Sequence, residues 1–75
     1  MPMTPERQWV LEQFSLTIPR SIRRQMKSDH RRKWTGGNTS AFAAAVMLQR
    51  HVTALQQDGM MTRAAGHPGM WIRLK

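Results

Sequence analysis

Between Asn38 and Gly59 the chain carries one uninterrupted helical pattern, and this segment limits what the remaining residues can do. Ala41, Ala45, Leu48, Val52 and Leu55 recur at offsets of three and four, which draws a single apolar stripe along a helix. Gln49, Arg50, Thr53 and Gln57 fall on the opposite side. Asn38, Thr39 and Ser40 offer caps at its start, and Asp58-Gly59 ends it, glycine supplying the left-handed residue. Such a stripe must be covered by other elements. In 75 residues only a few short ones are available, and the core they make is thin. With no cysteine in the chain, disulfides, thiolate metal ligands and cysteine nucleophiles are excluded.

The covering elements can be read on either side. Thr4-Pro5-Glu6 opens a first helix, with a hydroxyl to cap, a proline in the first turn and an acid at the positive dipole end. Val10, Leu11 and Phe14, with Trp9, set its inner face, predicting a helix over 5–14. Pro19 biases Ile18 to an extended conformation, so a short strand is expected over 15–18. A second helix is expected over 19–28, with Ile22 and Met26 on one face. Residues 29–38 hold Gly36-Gly37 and no apolar rhythm, and read as a loop. After the long helix, 60–63 and 70–74 flank a stretch with Gly66, Pro68 and Gly69, which is a hairpin. Alternation there puts Met70, Ile72 and Leu74 on an apolar face and Trp71 with Arg73 on the outer one. Met60, Met61 and Met70 suit the irregular seam between hairpin and helices.

This order of elements resembles a winged helix-turn-helix domain, mainly α with a small β-hairpin, spanning 1–75 as one unit. The local likeness lies in the last third. Leu55 stands four residues before Gly59, which is followed by Met60-Met61 and then Arg63, similar to a recognition helix running into the first wing strand. Gly66 and Gly69 look like the wing tip, and Ile72 and Leu74 like the returning strand. Two features depart from that family. The ten residues 29–38 exceed the usual tight turn, and Ala41-Phe42-Ala43-Ala44-Ala45-Val46 has few groups able to read a base edge.

Charge points to a partner. Twelve Lys and Arg against four acids give +8, a field that attracts polyanions. Seven of those cations, Arg20, Arg23, Arg24, Lys27, Arg31, Arg32 and Lys33, lie within 20–33, opposed only by Asp29. The resemblance implies that the second helix crosses a DNA backbone, so these are the expected phosphate contacts. A solvated helix face is the plain alternative. On the third helix Gln49, Arg50 and Thr53, with Ser40 near its start, are the base-reading candidates, since Arg can pair guanine and Gln adenine. Phe42 and Val46 share that side and are expected to pack under the loop and first helix, contact with thymine methyls being the alternative. Arg63, His67, Arg73 and Lys75 surround the hairpin as wing contacts. Trp34 and Trp71 stand among cations and can pack or stack on bases, which keeps an RNA or single-strand binder open.

Catalysis finds little support. Glu6 and Asp58 sit at expected helix ends, Glu12 needs no special role, and no carboxylates pair for acid–base work. His30, His51 and His67 fall in a loop, a helix and a turn without ligand spacing, so no metal site and no cofactor are expected. No apolar run approaches the ~18 residues of a membrane span, and the N-terminus lacks the layout of a secretion signal. The expectation is a non-enzymatic, cytoplasmic, nucleoid-associated binder of double-stranded DNA, a small transcriptional regulator of bacterial, phage or plasmid type. An adaptor binding an acidic protein partner is the rival reading, and a homodimer is open because many regulators need two half-sites.

Overall fold

In chain order the computed structural model, which describes residues 3–74, runs α1 (Pro5–Glu12), β1 (Arg20–Ser21), α2 (Arg24–Thr35), α3 (Ala41–Gln57), β2 (Met61–Arg63) and β3 (Met70–Arg73). The architecture is mainly α with one small antiparallel sheet of order β1-β3-β2. Lys75 lies outside the described residues.

Thr4 is extended, and its Oγ1 accepts a hydrogen bond from the Arg7 N–H at 3.1 Å, so α1 starts where the sequence places it. The helix ends at Glu12, earlier than expected. Gln13 turns its Nε2 back to donate to the Trp9 carbonyl, and Phe14 is buried from just beyond the last turn. Residues 15–18 are not a strand. Ser15 Oγ accepts the N–H groups of Thr17 and Ile18, both at 3.1 Å, and this local turn competes with extended pairing. The strand forms after Pro19 instead, at the sheet edge where a proline alongside is tolerated, with Arg20 opposite Trp71 and Ser21 opposite Met70.

Helix α2 is displaced toward the C-terminus relative to the expected 19–28, and most of the expected loop is helical. Its inner stripe is Met26, His30 and Trp34, four apart. A histidine and a tryptophan stand where aliphatic residues would have made the period visible. Asp29 supports the helix from both sides, accepting from Gln25 Nε2 at 2.9 Å and from Arg32 Nη2 at 2.7 Å. Gly36, at φ 64°, ends it. The connection to α3 is therefore residues 36–40, an ordinary length between packed helices and half the expected ten.

Ser40 caps α3, its Oγ accepting from the Ala43 N–H at 3.1 Å. The buried stripe is Ala44, Leu48, Val52 and Leu55, while Ala41 is exposed and Ala45 half-buried. Gly59 at φ 75° turns the chain, and the Met60 N–H donates to the Leu55 carbonyl at 2.9 Å. The hairpin pairs Met61 with Arg73, Thr62 with Ile72 and Arg63 with Trp71. Its faces are the reverse of the expected ones. Trp71 is 6% exposed and meets Phe14 edge-on, with centroids 6.5 Å apart, whereas Leu74 is 50% exposed. Indole has the larger apolar area to bury, so on the central strand it takes the core side. Val10, Leu11, Met26, Leu48, Leu55 and Met61 complete a core to which all three helices and the sheet contribute.

Candidate nucleic-acid interface

Helix α2 begins against its own dipole. Arg23 occupies the N-cap with no side-chain cap bond, Arg24 follows in the first turn, and the turn holds no acid. Cations at the positive end of a helix are unfavourable by ~0.3–1 kcal/mol each, so folding alone does not account for them. Arg23, Arg24 and Lys27 are exposed, and none has an acidic partner among the described residues.

These cations border α3. A groove of about 390 Å3 separates the two helices, with Arg24, Lys27 and Ser28 on one wall and Ala41, Phe42 and Ala45 on the other. Phe42, expected to be packed, is 80% exposed because α3 turns Ala44 and Leu48 inward and leaves the Phe42 side uncovered. Val46, Gln49, Arg50, Thr53 and Gln57 continue the same stripe and line a second depression of about 290 Å3. Gln49, Arg50 and Thr53 thus stand together on an exposed face, as their spacing indicates. Ser40 is at the helix start, but its hydroxyl is engaged as the cap.

The other expected contacts divide by what already holds them. Arg31 is turned into the fold, its Nε donating to the Thr39 carbonyl and its Nη2 to the Gly37 carbonyl at 3.3 Å, which ties α2 to the connection before α3. Arg32 is paired with Asp29. Lys33 lies over the half-buried Trp34 ring, 5.5 Å from the centroid. Arg20 is half-buried in β1 and, with Arg23, borders a third depression of about 280 Å3 beside Ile18, Pro19 and Met70. Arg63 covers Trp71 at 5.6 Å, so neither side of that pair is an open stacking platform. His67 is exposed in the turn between β2 and β3, and Arg73 is half-buried in β3.

A second cluster lies where no spacing in the sequence indicates one. Glu6 of α1, His30 of α2 and His51 of α3 meet between the three helices. His30 Nε2 is 3.0 Å from Glu6 Oε2, and His51 Nε2 contacts the same oxygen. His30 is fully buried, while the His51 and Glu6 side chains are about one-fifth exposed, at 19% and 23%. Burial alone raises the Glu6 pKa, but the hydrogen bond from His30, with the charge and hydrogen bond of His51, outweighs it and holds the carboxyl below its usual range. The Nδ1 atoms of both histidines are buried without a hydrogen-bond partner among the described residues. Glu6 at the first turn of α1 reads in sequence as a dipole-stabilising acid and His30 as a loop residue, so nothing in the sequence signals their meeting with His51.

No helix among the described residues is long and apolar enough to cross a membrane. Comparison of the chain with protein-family models, with curated proteins and with solved structures finds no match.

Proposed function

We propose that the chain is a winged helix-turn-helix domain that binds double-stranded DNA without catalysing a reaction, as a small transcriptional regulator. The element order, the β1-β3-β2 sheet and the five-residue connection between α2 and α3 support that fold reading. The observation that carries the function is the groove in which Arg24 and Lys27 of α2 stand beside the exposed stripe of α3. In this reading the α2 cations neutralise phosphates and set the orientation of the domain, while Gln49, Arg50 and Thr53 reach base edges in the major groove. Arg23 extends the phosphate track toward Arg20 and the sheet.

Selection from a random duplex library with the purified protein tests this. An enriched motif supports a regulator, broad retention supports DNA binding without sequence preference, and no retention at low salt removes the function. A second reading, an adaptor for an acidic protein, is favoured by Phe42, a large apolar side chain left in the open beside cations. Phe42→Ser separates the two. In the adaptor reading it abolishes capture of the protein partner, and in the DNA reading phosphate-driven affinity survives.

A further inference from the structure

We propose that Glu6, His30 and His51 form a binding site for a divalent transition-metal ion, with zinc the best fit, that joins α1, α2 and α3. One carboxylate oxygen and two imidazole nitrogens lie within 4.8 Å of one another, each supplied by a different helix. Zinc takes nitrogen at ~2.0–2.1 Å and carboxylate oxygen at ~2.0–2.2 Å, so ligand atoms around it stand ~3–3.5 Å apart. In the structure the His30 Nε2 stands 3.0 Å from the Glu6 oxygen and the two histidine Nε2 atoms converge on that one oxygen.

The donor set selects the class of ion. Two imidazoles and one carboxylate suit zinc and its first-row neighbours, whereas calcium and magnesium favour all-oxygen shells. His30 is inaccessible, but His51 and Glu6 keep part of their surface exposed, so an ion can arrive from solvent on their side and a water can fill its remaining position. To bind the ion, each imidazole must present a bare Nε2 and keep one ring proton, on Nδ1, so it coordinates as a neutral ligand, and any second ring proton leaves to solvent. A metal staple across three helices is a device that small domains without disulfides use to add stability.

The test uses untagged full-length protein stripped with a chelator, then titrated with Zn2+ while thermal unfolding is followed, and with Co2+ while visible absorption is followed. Saturation at one ion per chain is expected. At zinc about a hundredfold above Kd, the melting temperature should rise by roughly 10–20 °C for a domain of this size. His51→Gln and Glu6→Gln, both at partly exposed positions, should stay folded and lose the rise, while His67→Gln in the exposed turn should keep it. A melting temperature indifferent to zinc, or a rise retained in both Gln variants, overturns the site. Should either variant fail to fold, the wild-type cobalt titration decides alone: visible bands saturating at one equivalent support the site, and their absence overturns it.

Discussion

Replacing Arg23, Arg24 and Lys27 together by glutamine should move folding and DNA binding in opposite directions. All three side chains are exposed at the start of α2 and none touches the buried core, so their loss leaves packing intact. Arg23 and Arg24 oppose the helix dipole, and removing both should stabilise the fold by about 1 kcal/mol. If each of the three neutralises one phosphate, the slope of log affinity against log salt should flatten by ~0.9 per contact, or ~2.7 in all. Between about 50 and 200 mM salt, the wild type should then lose roughly 40-fold more affinity than the variant. Fluorescence anisotropy on a duplex across that range measures the slope, and thermal unfolding measures the fold. Arg32→Gln is the control, because Arg32 is already paired with Asp29 and should alter the slope by less than one contact. An unchanged slope in the triple variant would refute the phosphate track. So would a fall in melting temperature matching the loss of binding, since the cations would then be structural.

Leu48 is fully buried in the middle of the α3 stripe, and Leu48→Ala should cost about 2–5 kcal/mol in equilibrium urea unfolding. A loss below ~1 kcal/mol would contradict the packing described. Gly59→Ala tests backbone alone: φ is 75° and an added Cβ meets nothing within 4 Å, so the expected cost is about 1–2 kcal/mol, and a neutral result would deny the left-handed turn. Because the Glu6 carboxyl titrates below its ordinary 4.5 in the folded state, its contribution to stability is present above that pH and is lost as acid carries the protein through the lowered value. In chelator, stability measured from pH 6 down to about 2 should fall in that window for wild type and fall less for Glu6→Gln. Identical acid profiles would show that the carboxylate is not held by the histidines.

Local signals were the legible ones. Thr4 and Ser40 as caps, Gly59 as the end of α3 and the hairpin around 64–69 are each specified by a few adjacent residues, and each forms where its chemistry indicates. The frame of α2 was hidden because its inner stripe runs through His30 and Trp34. Pro19, which suits the start of a helix, equally suits the approach to an edge strand. Alternation in β3 does not say which set faces the core when one set contains tryptophan, and it is Trp71 that is buried. Within the basic segment, sequence shows the number of charges but not which are already occupied. Arg31 bonds to backbone carbonyls and Arg32 to Asp29, facts that depend on where α2 begins and ends. The meeting of Glu6, His30 and His51 depends on the packing of all three helices, which no spacing within one segment encodes.

The pairing of Ser21 with Met70 joins distant parts of the chain. That short ladder closes a loop enclosing the whole of α2, α3 and β2, a long-range contact whose closure carries an entropy cost. Strand β1 therefore depends for its pairing on a strand formed near the other end of the sequence. The tail that forms β3 holds it from the far end of the chain, and a break in that tail would open the molecule at both places at once.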